Sequence, residues 1–245
     1  MSLIANKDWS PTAPASISLA RRHVLFFLFS AILLGITSGS IRALITYASD
    51  LENKNASQIF LIPFVTAALL FSNRKNIFAG ARYAAVAGTL TILAGIGLLA
   101  TAAAWGLKVE GDRLAVSISA IIVIWLGGYL FFYGPAAFKS ALFPLWFLVF
   151  SIPMPSFILD PSVEFLRRGS AEIAYVLLKL SGTPIFREGF VFALPKMTIE
   201  VAPECSGIRS CIGMLILSII GGYYLLDSQW NRGALGLVGV PIIVY

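Results

Sequence analysis

Charge is scarce in this chain of 245 residues. Lys, Arg, Asp and Glu make up 12% of it, hydrophobic residues make up 58%, and the mean hydropathy is +0.86. A soluble domain carries about 25% charge and about 45–50% apolar residues. The composition therefore excludes a dissolved globular protein and indicates a polytopic membrane protein. Histidine occurs once, as His23, and cysteine twice, as Cys205 and Cys211. On a helix six residues rise ~9 Å, beyond the ~7 Å that a disulfide can bridge; if the stretch is helical, the two cysteines do not pair. A formal net charge of +6 invites a nucleic-acid partner. That partner is excluded, because the basic residues form no single stripe: they sit in short clusters between apolar runs, as the flanks of membrane helices do. No cofactor and no metal is expected.

Residues 1–20 are a polar, Pro/Ser/Ala-rich segment, and 21–245 form a single membrane domain. Arg21 and Arg22 precede the first apolar run, Val24 to Tyr47. It has no clean small-x-small cleavage site and further spans follow, so it is a retained helix and not a removed signal. Gln58–Ser72 is a second span, Tyr83–Leu107 a third, rich in Ala and Gly and suited to close helix packing. Leu114–Tyr133 is a fourth, ended by Gly134-Pro135, and Ser140–Ile152 a short fifth. Ile208–Leu226 is a sixth, and Gly233–Tyr245 opens a seventh apolar run of about 13 residues, short of the ~20 that a span needs. The fold class is thus an all-α helical bundle of six to seven spans, and the chain is expected to be truncated within its last helix.

The clusters Arg21/Arg22, Asn73-Arg74-Lys75-Arg82 and Lys139 are expected to be cytoplasmic, which puts the N-terminus inside. Between the fifth and sixth spans lies a different kind of sequence. Residues 156–182 have apolar residues at helical spacing, interrupted by Glu164, Arg167, Arg168, Glu172 and Lys179. Such a helix is too charged to face lipid all round; it is an amphipathic helix on the outer surface or packed against the bundle. Phe190–Leu194 and Met197–Val201 then read as the arms of a β-hairpin. Open strands do not stand in lipid, so the hairpin belongs to the extracytoplasmic side.

The stretch "VAPECSGIRSCIG" (201–213) follows, at the outer mouth of the sixth span. A thiol at a helix N-terminus meets free backbone N–H groups and the positive end of the dipole, both of which favour the nucleophilic thiolate. Ser206 can cap the helix, Gly207 admits a second backbone, and Arg209 lies one turn below Cys205, where its charge favours thiolate; Glu204 opposes this. Cys211, deeper and on another face, stays a neutral thiol. A thiol protease also wants a base, usually His, and His23 is expected on the opposite side of the membrane, as a residue of the basic flank.

At "EVAPECSGIRS" the sequence resembles the exosortase/archaeosortase family of integral-membrane cysteine transpeptidases. "FPLWFLVFSIPMP" (143–155) and "GSAEIAYVLLKLSGTPIFREG" carry the resemblance further, and "NASQIFLIPF" is similar to a family stretch in which Gln58 here replaces a His. The resemblance implies that Cys205 is the nucleophile, with Glu204, Ser206, Gly207 and Arg209 as its supporting motif. It also implies a catalytic Arg in a downstream Asn-x-x-Arg motif and a His beyond it, both past Tyr245; Arg209 is not that Arg. The implied substrates are exported proteins with a C-terminal signal of short motif (Pro-Glu-Pro in bacteria), hydrophobic helix and basic tail, presented from the lipid bilayer of the cell membrane. The alternatives are a non-catalytic polytopic protein, such as a transporter or polysaccharide-export component, and an inactive truncated family member.

Overall fold

A computed structural model describes residues 15–49, 59, 61–104, 109–182, 184–194, 197–202 and 207–225. Its helices are α1 (Ala15–Ile36), α2 (Ser38–Ser49), α3 (Leu61–Ser72), α4 (Arg74–Phe78), α5 (Ala85–Ala104), α6 (Glu110–Ser140), α7 (Leu142–Trp146) with a 3-10 turn at Phe147–Ser151, α8 (Ser156–Leu180) and α9 (Ile208–Leu225). Three strands, β1 (Phe186–Glu188), β2 (Val191–Ala193) and β3 (Thr198–Glu200), lie between α8 and α9. Among the described residues three helices are long and apolar enough to cross a membrane: Leu19–Ile36, α5 and α6. The broken pair Leu142–Ser151 and Ser156–Leu180 makes a fourth if counted as one span.

Several expected spans are therefore shorter than the sequence suggests. The first is divided at Thr37, between α1 and α2. The second supplies only the 12 residues of α3, and the fifth only a five-residue helix and a 3-10 turn before Pro153. The seventh apolar run lies outside the described residues. The chain divides into two compact units, one of residues 1–42, 63–106 and 116–149, the other of residues 43–62, 107–115 and 150–245.

The first unit is held by a backbone-close helix pair and an aromatic core. An added Cβ at Gly88 of α5 would lie 2.5 Å from the Phe131 backbone of α6. One at Gly95 would lie 2.6 Å from Ile124, and one at Gly127 would lie 2.8 Å from Ile92. These pairs run in opposite order along the two helices, so α5 and α6 are antiparallel. In lipid no water is released when helices meet, and close dispersion contact between small residues supplies the attraction. Tyr129, Tyr133, Ile77, Ala137, Ala141 and Leu145 form the buried core, with Phe26, Phe78, Trp125 and Phe138 packed against it.

Gly134 and Pro135 interrupt α6. Gly134 has φ +77° and ψ 176°, a conformation essentially restricted to glycine. Pro135 has no N–H to offer the carbonyl four residues back, that of Phe131. The main chain of 81–84 fills the gap: Ala84 N–H donates to Phe131 O and Arg82 N–H to Tyr133 O, both at 3.1 Å. The sequence reads this dipeptide as the end of a span, and the structure bears this out: the helix that starts at Glu110 stops at Gly134, a short second helix follows from Pro135, and a neighbouring segment takes up the carbonyls left at the break.

The second unit contains α8, the sheet and α9. Asp112 holds the start of α8, its carboxylate accepting from Ser156 N–H and from Ser156 Oγ–H, each at 2.7 Å. The sheet is antiparallel in the order β1-β2-β3. β2 and β3 pair Val191 with Glu200, Phe192 with Ile199 and Ala193 with Thr198. Leu194 N–H→Met197 O at 2.8 Å and Val201 N–H→Phe190 O at 2.9 Å extend the ladder to both ends of the expected hairpin. Residues 195 and 196 of its turn lie outside the described residues. β1 is an addition that the alternation pattern misses. It carries Arg187 and Glu188 in three residues and joins β2 through Gly189, whose φ of +60° makes the tight turn.

Candidate functional site

Of the residues that the sequence nominates, Glu204, Cys205 and Ser206 lie outside the described residues. Gly207 is described: it immediately precedes α9, in the cap position, with φ +69°. A Cβ there would meet nothing within 4 Å, so glycine is required by the backbone angle and not by crowding. Arg209 and Cys211 are the second and fourth residues of α9; their side chains lie outside the description. α9 begins at Ile208, three residues after Cys205; the relation expected between Cys205 and Arg209 lies outside the described residues.

The structure brings a residue to this segment that the sequence reading assigns only to a charged helix. Arg167 of α8 reaches the far end of β3. Its Nε donates to Val201 O, and its terminal NH2 nitrogen donates to the Glu200 carboxylate at 3.1 Å. Its guanidinium carbon lies 3.9 Å from the centre of the Phe190 ring. The side chain is 16% exposed, against 60% for that of Glu200. Arg suits this place because its planar fork satisfies a carbonyl and a carboxylate together while stacking on a ring, which a Lys ammonium does not do. Arg167 thus fixes the main chain two residues before Pro203, from which the Cys205 segment departs.

A second arginine anchors the opposite edge of the sheet. Arg187 of β1 pairs with Glu172 of α8 at 2.8 Å, beside Tyr175 and the fully buried Phe192. The signal for both contacts is present in sequence as charges on an otherwise apolar helix, but the partners are unknowable before the sheet is placed. On the exposed side of α8, Ile158, Phe165, Ile173, Val176 and Leu180 form an apolar stripe at helical spacing. The helix therefore has one face for the sheet and one that the described residues leave exposed, as an interfacial helix does.

His23 is engaged within the first unit. Its Nδ1 lies 2.8 Å from the Tyr133 hydroxyl, and its ring meets Phe78 edge-on with centroids 4.9 Å apart. Among the described residues, no three His, Cys, Asp or Glu side chains gather as a metal site would require.

No curated protein and no solved structure gives a significant match to the sequence. The family model described as transmembrane exosortase matches residues 50–245, which covers α3 to α9, the Cys-Ser-Gly segment and all that follows it. With most of its length matched, the chain belongs to the transmembrane exosortase family.

Proposed function

We propose that this membrane protein is a cysteine peptidase or transpeptidase that removes the C-terminal sorting signal of exported proteins, with Cys205 as nucleophile. The observation that carries the reading is the family match across 50–245, within which the segment bearing Cys205 is bounded by Arg167-held Val201 and by the first turn of α9. The Cys205 thiolate attacks the peptide carbonyl at the signal motif. The C–N bond breaks, the released tail amine takes a proton, and the exported protein remains as a thioester on Cys205. Water or an amine then attacks the thioester and restores the thiol. A tail helix lying in the bilayer beside α9 arrives with its outer end near Cys205, so the membrane does much of the positioning. On this reading the N-terminus is cytoplasmic, the Cys205 segment, α8 and the sheet are extracytoplasmic, and the apolar stripe of α8 rests on the outer leaflet.

The test is processing of a reporter carrying the motif, helix and basic tail, co-expressed with the intact gene. Cys205→Ala abolishes processing and traps no thioester, whereas Cys211→Ala retains most of it. Equal loss from both changes, or full processing by Cys205→Ala, refutes the assignment and favours a non-catalytic membrane component.

A further inference from the structure

We propose that the first unit binds an anionic phospholipid, holding its headgroup phosphate with Arg74 and Lys75 and part of an acyl chain in the cavity below them. The cavity is about 660 Å³ and is lined by Leu19 and His23 of α1, Ala67, Leu70 and Phe71 of α3, and Arg74, Lys75, Phe78 and Ala79 at α4. That volume lies within the range of about 300–1,000 Å³ usual for small-molecule sites.

Two properties of this cavity select the ligand. The first is its division into an apolar body, made by Leu19, Ala67, Leu70, Phe71 and Phe78, and a cationic rim. The Arg74 guanidinium carbon sits 4.3 Å from the centre of the Phe71 ring, which holds the charge where the apolar wall ends. The second is the one-sided charge of the unit's described residues. Among the described residues of this unit there are seven Lys or Arg, namely Arg21, Arg22, Arg42, Arg74, Lys75, Arg82 and Lys139, and no Asp or Glu. The acidic side chains described in the chain all belong to the other unit.

A free anion such as inorganic phosphate answers the rim but leaves the apolar wall uncovered. An uncharged alkyl chain answers the wall alone. A phospholipid with a net negative charge answers both, and it is the solvent in which the unit sits. Basic pockets between membrane helices commonly take such headgroups on the cytoplasmic side, the side to which the Arg74-Lys75 cluster is assigned by the charge rule. Each cation near the surface favours an anionic headgroup about fivefold, so the pair is expected to give about 25-fold. The inference does not depend on the proposed peptidase activity, and its test uses none.

The full chain is purified in non-ionic detergent and titrated with phosphatidylglycerol, phosphatidylcholine or inorganic phosphate. Bound lipid is counted by native mass spectrometry, and the thermal midpoint is followed in parallel. The wild type is expected to bind phosphatidylglycerol about 25-fold more tightly than phosphatidylcholine, with inorganic phosphate giving no shift. Arg74→Gln with Lys75→Gln brings the two lipids level; Lys75→Gln alone, a change at an exposed position, loses about fivefold and serves if the double variant fails to fold. Ala67→Phe narrows the apolar wall, leaves both cations, and weakens both lipids together. Equal affinity for the two lipids in the wild type, a preference that survives the Gln changes, or a shift from inorganic phosphate equal to that from phosphatidylglycerol overturns the proposal.

Discussion

Replacing Arg167 by Met tests how the segment before Cys205 is held. Met keeps the apolar stem and removes the fork. Three contacts are lost together: the charge-assisted hydrogen bond to Val201 O, the stacking on Phe190, and the pair with Glu200. The first is worth about 1.5–3 kcal/mol and the second about 0.5–1 kcal/mol at a partly exposed site. The third is worth about 0–1 kcal/mol, because Glu200 is largely in water. Water will solvate the abandoned carbonyl in part, so a net local loss of roughly 2–3 kcal/mol is the reasonable figure. That corresponds to about a 30- to 150-fold rise in local opening. The reporter is hydrogen–deuterium exchange of the Val201 amide, which donates to Phe190 O, measured on protein in lipid nanodiscs. Exchange across 198–202 should accelerate by that factor in Arg167→Met, less in Arg167→Lys, and by fivefold at most in Glu200→Gln. Unchanged exchange in Arg167→Met, or an equal effect from Glu200→Gln, refutes the claim that Arg167 holds this strand end.

Gly134→Ala should lower the thermal midpoint sharply, with a cost of about 3 kcal/mol or more, because the new methyl would run into the Arg82 carbonyl oxygen in a glycine-only conformation. Gly189→Ala, with φ +60° but open space around it, should cost only about 1–2 kcal/mol, and equal midpoints for the two variants would contradict the account of the α6 break. For topology, in a Cys211→Ala background Cys205 should react with an impermeant maleimide in intact cells. A cysteine introduced at position 230, in a Cys205→Ala, Cys211→Ala background, should react only after permeabilisation, and the reverse pattern would invert the proposed orientation.

The parts of the fold legible in sequence are those that depend on local pattern. Long apolar runs gave α5 and α6, apolar residues at helical spacing with charges between them gave α8, and the alternation of 197–201 gave β3, with the apolar arm 190–194 as its hairpin partner β2. The misses have non-local causes. Thr37 carries no breaker signature, yet α1 and α2 divide there. β1 is legible only once β2 offers it an edge, since Phe186-Arg187-Glu188 has no alternation of its own. Gly134-Pro135 was visible as a breaker and does break the helix; what was not visible is that 81–84 supplies the donors for the carbonyls left there. At the candidate site, Cys205 and Gly207 were nominated by motif and helix-end chemistry. Arg167 was not, because an arginine on an amphipathic helix looks the same in sequence whether it faces water or grips a strand.

The glycine contacts between α5 and α6 have a further mechanical meaning. α5 has 20 residues, and α6 runs unbroken from Glu110 to the break at Gly134, or ~30 Å and ~36 Å of helix against a hydrocarbon layer of ~30 Å. A free helix of the longer kind would lean over until its apolar length fitted. Here the two backbones touch, so neither can lean without carrying the other. The shorter partner matches the layer upright, and the surplus of the longer one is its charged first turn, Glu110–Arg113. A change in acyl-chain length therefore acts on the pair as one stiff strut, and thinner membranes tilt both helices together.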